Sequence, residues 1–117
     1  MSLVNSHDQA RRAVRRGARL LVRTPSDAAT HLSRLHAATD MPGTEPVQGV
    51  LADMFTALGA DHSALKAQAL ELVRTRLSAH VAAWFGSQTH APALPRISPL
   101  ATRWSVLAMP SADISTR

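Results

Sequence analysis

Proline positions set the strongest limit on how this chain can fold. Four of the seven prolines follow residue 91, at Pro92, Pro95, Pro99 and Pro110. Proline lacks the amide hydrogen and its ring clashes with the preceding helical turn, so these four positions forbid a long helix there. The residues before them carry apolar side chains at helical spacing. The sequence therefore predicts a helical domain over residues 1–86 and a proline-rich arm over residues 87–117.

Four helices are predicted in the first 86 residues, from apolar periodicity and from capping residues at their ends. Ser6 is the expected N-cap of the first helix and Thr24 that of the second, while Gly59 and Gly86 follow the third and fourth. The predicted ranges are 8–23, 25–38, 45–58 and 62–85. The last has the widest apolar arc and is expected at the centre. The fold class is all-α, either a four-helix bundle or an irregular helical array.

The arm is too apolar for a plain linker. Leu100, Trp104 and Leu107 lie close together within it. Burial of a tryptophan ring is strongly favourable, so these three residues are expected to dock the arm on the helical domain or on a partner chain. Two conformations remain open for this part of the arm: a short helix capped at Ser98, or an extended segment.

The net charge of the chain belongs to its first helix. Residues 1–23 hold six arginines and one acid, Asp8, for a net charge of +5, while residues 24–117 hold seven basic and seven acidic side chains. The arginines fall within about 140° of a helical wheel, opposite an apolar side. They are the predicted partner- or phosphate-binding residues: Arg11, Arg12, Arg15, Arg16, Arg19 and Arg23. One basic element on a neutral body indicates a localised contact with an acidic surface.

Motifs for catalysis and metal binding are absent from the sequence. The chain has no cysteine, which excludes disulfides, thiolate metal sites and a cysteine nucleophile. It has no phosphate-binding glycine loop, nucleophile elbow or zinc-protease motif. Asp27 and His31 are spaced to share a metal on the second helix, but residues at helix ends also have structural roles there. No catalytic residue, metal site or cofactor is predicted, and Asp53 is expected on a solvent face.

The leading functional prediction is a small, non-enzymatic interaction or accessory subunit that docks on an acidic partner protein through the first helix and the arm. An alternative is a nucleic-acid-binding domain in which the arginines contact phosphates, although the basic helix holds no aromatic residue for base stacking. A third is a small helical enzyme or metal protein whose site has no local motif. A homo-oligomer also remains open.

The cellular setting is predicted from composition. No apolar run is long enough to span a bilayer, and none of signal-peptide length follows the first arginines. Twelve arginines against a single lysine, Lys66, are typical of a GC-rich bacterial genome. These features predict a cytoplasmic bacterial protein. The acid-poor N-terminus also has features of a mitochondrial transit peptide, which is the alternative interpretation.

If the first helix is a docking surface, its arginines do not stabilise the fold. Arg12, Arg16, Arg19 and Arg23 should then be exposed while Val14, Leu20 and Leu21 are buried. Replacing Arg12, Arg16 and Arg19 together by Gln should leave the free energy of unfolding unchanged, or raise it by a few tenths of a kcal/mol per relieved like-charge pair. Urea titration measures this. A triple variant that unfolds would show that the arginines are internal structural partners.

Overall fold

A computed structural model describes residues 3–110, with side chains from Ser6 onward. The helices within this range are α1 (Leu3–Arg23), α2 (Ala28–Thr39), α3 (Glu45–Ala57), α4 (Ser63–Val73) and α5 (Ala79–Ser87), with 3₁₀ turns at Ala60–His62 and Arg74–Arg76. The described part of the chain has no β-sheet and a single isolated bridge, between Ile97 and Met109. The all-α prediction is confirmed, in the form of a helical array.

The helix caps differ from the predicted ones. Ser6 lies inside α1, which begins several residues before the predicted start. Asp27 caps α2 instead of Thr24: one carboxylate oxygen accepts the Thr30 amide and the other lies 2.8 Å from the Thr30 hydroxyl. The Thr24 hydroxyl instead donates to the carbonyl of Leu20 and helps to close α1. Aspartate adds favourable charge at a helix N-terminus, which threonine cannot do.

The structure has two helices where one was predicted over residues 62–85. Leu77 is extended, and the Ser78 hydroxyl accepts the Val81 amide at 3.2 Å, which starts α5. Arg76, in the break, donates to the carbonyls of Thr39, Met41 and Gly43. The break therefore places a guanidinium over the α2–α3 connection, whose carbonyls have no helical partner there.

The centre of the array is α3 and not the predicted fourth helix. Its side chains are buried on nearly all sides, including Val47, Val50, Leu51, Met54 and Phe55. The Phe55 ring meets the Phe85 ring of α5 edge to face, with centroids 5.0 Å apart. Val14 and Leu21 bring the apolar side of α1 into the core of the domain.

The arm is irregular over residues 88–110, with turns and bends in place of the short helix that was one of the two predicted alternatives. It folds back on itself where the Ser98 amide donates to the Met109 carbonyl at 2.8 Å. The Leu94 amide donates to the Phe55 carbonyl at 2.9 Å, which ties the start of the arm to the end of α3. Residues 111–117 of the predicted arm lie outside the described residues.

Asp53 is buried at the junction of α3 and the arm, and its predicted position on a solvent face was wrong. Its carboxylate accepts the backbone amides of Val106, Leu107 and Ala108 at 2.8, 2.9 and 2.8 Å. It also forms a fully buried ion pair with Arg34 of α2, at 2.6 Å. A buried carboxylate is tolerated only when its oxygens are hydrogen-bonded and its charge is paired, and Asp53 meets both conditions.

Arg34 connects this carboxylate to two further elements. Its Nε donates to the Val14 carbonyl of α1 at 3.1 Å, and its Nη2 donates to the Trp104 carbonyl of the arm. Its methylene groups would lie 3.3 Å from a Cβ placed on Gly17, so a glycine at this position lets α1 approach closely. Four elements, α1, α2, α3 and the arm, therefore converge on one ion pair.

Replacing Asp53 by Asn should lower the free energy of unfolding by about 3–5 kcal/mol, because Arg34 is left as an unpaired buried charge. The matched control is Glu71→Gln, which removes an exposed ion pair with Arg74 and should cost no more than about 1 kcal/mol. Urea denaturation compares the two variants. Equal losses would contradict the role assigned to Asp53.

Candidate functional site

The six arginines of α1 are all exposed, and they divide into two groups. Four of them lie within about 60° of arc at about 100° per residue, directly opposite the buried side of the helix. We call this set the arginine row: Arg12, Arg16, Arg19 and Arg23. Among residues 3–110, no carboxylate pairs with any member of the row. Arg11 and Arg15 lie on the flank that faces the arm.

Leu20 is exposed by 52%, so its predicted burial was wrong, whereas Val14 and Leu21 are buried. Successive residues of a helix are about 100° apart, and Leu21 already occupies the core-facing position at this level. Leu20 instead lines a shallow groove between α1 and α2, together with Arg16 and Gly17. The groove lies beside the arginine row.

The arm completes a second basic feature beside the row. Arg11, Arg15, Arg103 and Trp104 line a cleft of about 280 Å³, which we call the cationic cleft. The Cζ atoms of Arg15 and Arg103 lie 5.2 and 5.9 Å from the centroid of the Trp104 ring. Guanidinium groups at this distance from an indole are attracted to its π face. The cleft therefore combines arginines from α1 and from the arm around one aromatic side chain.

Two of the three arginines in the cleft have carboxylate partners. Arg11 pairs with Asp8 at 3.3 Å and Arg103 pairs with Glu45 at 3.1 Å. Arg15 has no carboxylate partner among the described residues. The three arginines that line the cleft and their two carboxylate partners have a net charge of +1.

Hydrogen bonds to α3 hold the arm in the position that forms the cleft. The Thr102 hydroxyl donates to the Glu45 carbonyl at 3.0 Å, and the Ser105 hydroxyl donates to the Gly49 carbonyl at 2.9 Å. A Cβ at Gly49 would collide with the Thr102 hydroxyl oxygen, so glycine is required for this close approach. Trp104 and Arg103 are thereby fixed relative to α1.

The three residues predicted to dock the arm differ in their contacts. Leu100 and Trp104 are partly buried against the core. Leu107 is also partly buried, and its backbone amide is one of those bound by Asp53. Sequence reasoning missed Ala108, which is buried in the core. A single alanine in a proline-rich segment carries no signal for burial.

His31 and Lys66 are buried outside the cleft, and each has at least one backbone carbonyl as a partner. His31 Nε2 lies 2.7 Å from the Pro25 carbonyl, and the Asp27 carboxylate accepts hydrogen bonds from Thr30 as the cap of α2. Lys66 is buried and donates to the carbonyls of Leu58 and Ala91 at 3.3 and 3.1 Å. His36 is exposed near the end of α2. Over residues 3–110 no cluster of three or more histidine, aspartate or glutamate side chains is placed to bind a metal.

Comparison with protein-family models, with curated proteins and with solved structures finds no match to this chain. None of the helices in the described part of the chain has both the length and the apolar character needed to cross a bilayer.

His31 should make the stability of the fold depend on pH. Burial lowers the pKa of His31 below its ordinary value of about 6.5, and the hydrogen bond to Pro25 offsets part of that effect. The unfolded chain therefore binds a proton more readily than the folded one, and the free energy of unfolding should fall as the pH drops below about 6.5. His31→Gln, which keeps a donor for the Pro25 carbonyl, should reduce this dependence.

Urea titrations between about pH 7 and pH 5 measure how the free energy of unfolding depends on pH. The control is His80→Gln, at an exposed position of α5. The control should keep the slope of the parent protein. A His31→Gln variant with the parental slope would show that another group titrates.

Proposed function

We propose that this chain is a small, non-catalytic interaction subunit that docks on an acidic partner protein. The contact is made by the arginine row of α1 and by the adjoining cationic cleft. The observation that carries the proposal is the row itself: four exposed arginines on one side of a helix, with no carboxylate partner in the described residues.

The cost of the row supports an external partner. Like charges three or four residues apart on a helix repel each other and destabilise it. The fold gains nothing visible in return, because α1 is held by apolar residues on its opposite side, such as Val14 and Leu21. Guanidinium groups bind carboxylates through two parallel hydrogen bonds and keep their charge at any physiological pH. An acidic partner would therefore offset the repulsion.

The position of the arm supports the inclusion of the cleft in the interface. Hydrogen bonds to Glu45 and Gly49 on α3 hold the arm beside α1 before any partner arrives. A surface that is already ordered loses less conformational entropy on binding than a flexible segment does. We place this subunit in a reducing compartment, the bacterial cytoplasm, which fits a chain without cysteine.

Nucleic-acid binding remains the second candidate, and one contact favours it. The sequence put no aromatic residue in the basic helix, but the fold brings Trp104 against Arg15, with 5.2 Å between Cζ and ring centroid. Proteins that bind single-stranded nucleic acids combine aromatic rings, on which bases stack, with basic side chains that contact the phosphates. Arg15 and Arg103 already lie over this ring, where a base would have to stack. The acidic-protein proposal therefore has the stronger support.

The proposed interface predicts that the Arg12→Gln, Arg16→Gln, Arg19→Gln variant loses binding to poly-L-glutamate, used here as an acidic polypeptide, by at least about tenfold, because charge-assisted hydrogen bonds are removed. The control is Arg74→Gln, Arg96→Gln, Arg117→Gln, which removes the same charge outside α1. Calorimetric titration measures both. If both variants lose the same affinity for poly-L-glutamate, binding depends only on the net charge of the protein, and the localised interface is contradicted.

Salt titration separates the two candidate functions. If the partner is nucleic acid, the parent protein should bind single-stranded DNA more tightly than poly-L-glutamate. The triple variant should then lose about 0.7 from the log–log salt slope for each phosphate contact removed. That result would replace the acidic-protein proposal with the nucleic-acid one.

A further inference from the structure

We infer that the cationic cleft is the anchor of the interface and takes one carboxylate side chain, an aspartate or glutamate of the acidic partner, with Arg15 as the group that binds it. This inference rests on the proposed function and specifies one point of contact within it. The arginine row would bind the acidic residues that surround the anchor.

The charges in the cleft point to a single carboxylate. Arg11 and Arg103 are already paired, with Asp8 and Glu45. Arg15 is the arginine of the cleft with no carboxylate partner among the described residues, so the lining arginines and their partners sum to +1. One carboxylate from outside would neutralise the cleft.

The geometry of Arg15 suits this role. Its guanidinium lies over the Trp104 ring, 5.2 Å from the centroid, which restricts the orientation of a long and otherwise flexible side chain. A stacked guanidinium still has the N–H groups at its edge available, and these match the two oxygens of a carboxylate. Trp104 is in turn held by its carbonyl, which accepts a hydrogen bond from Arg34.

The Trp104 indole carries a buried polar atom beside the cleft. The indole Nε1 is buried and has no hydrogen-bond acceptor among the described residues. A buried donor without a partner is unfavourable, and folded proteins rarely leave one unsatisfied. Trp104 also lines the cleft, so a carboxylate bound there would change the surroundings of the indole.

The test follows Trp104 fluorescence in a Trp84→Phe background, which leaves Trp104 as the single tryptophan. The probe is a hexaglutamate peptide, with hexaglutamine as the uncharged reference. We expect hexaglutamate to change the Trp104 emission. Arg15→Gln should weaken binding at least tenfold and abolish that change. Arg74→Gln, an equal loss of charge on α4's exposed C-terminal end, should weaken binding less than threefold and retain the change.

The same titrations separate failure of the anchor from failure of the docking function. If Arg15→Gln binds as the parent does while the triple variant of the arginine row does not, the anchor is wrong and the docking function stands. If hexaglutamate binds no better than hexaglutamine to the parent protein, both are wrong. Circular dichroism of Arg15→Gln checks that the fold is retained, which its exposed side chain leads us to expect.

Two further probes test the chemical class. A peptide with one phosphoserine in a glutamine background should bind no more tightly than the same peptide with one glutamate. If it binds more than tenfold tighter and depends equally on Arg15, the cleft is a phosphate site and the carboxylate assignment is overturned. A single-stranded oligonucleotide that quenches Trp104 more strongly than hexaglutamate does would overturn it in favour of base stacking.

Discussion

The buried ion pair between Asp53 and Arg34 is the interaction on which the arrangement of this protein depends. Asp53 binds three consecutive backbone amides of the arm, at Val106, Leu107 and Ala108. Arg34 binds Asp53, the Val14 carbonyl of α1 and the Trp104 carbonyl of the arm. Because the side chains of Asp53 and Arg34 are fully buried, their charged groups must keep these partners. The position of Trp104 beside α1, and hence the cationic cleft, follows from this ion pair.

Helix type and the exposed basic side of α1 could be predicted from the sequence, because both depend on local periodicity. The break between α4 and α5 could not, since apolar residues continue at helical spacing through it while Ser78 starts a new helix. Asp53 was misplaced for a related reason. A carboxylate in an apolar pattern usually faces water. Its partners here come from α2 and from residues more than 50 positions later in the chain.

One part of the candidate site, the arginines of α1, could be predicted from the sequence, and the contact of Arg15 with Trp104 could not. The arginines of α1 belong to one helix, so their clustering is visible in the residue order. The meeting of Arg15 with Trp104 joins residues 89 positions apart and is produced by packing alone. Gly49 shows how specific that packing is, because α3 needs a residue without a side chain where Thr102 approaches. From the sequence alone, this glycine is only a residue of low helix propensity within a predicted helix.

The large sequence separation between Asp53 and its hydrogen-bond donors in the arm has a consequence for synthesis on the ribosome. The carboxylate belongs to α3, but three of its hydrogen-bond donors are residues 106–108, which are translated after all five helices. A nascent chain that has released α1 to α5 can form helices but cannot enclose Asp53 and Arg34 without leaving polar groups unpaired. Stable tertiary packing is therefore delayed until the arm emerges, and contacts of such sequence separation form slowly. A chain that stops before the arm would expose the part of α3 that the arm covers, and exposed apolar surface of this kind promotes aggregation.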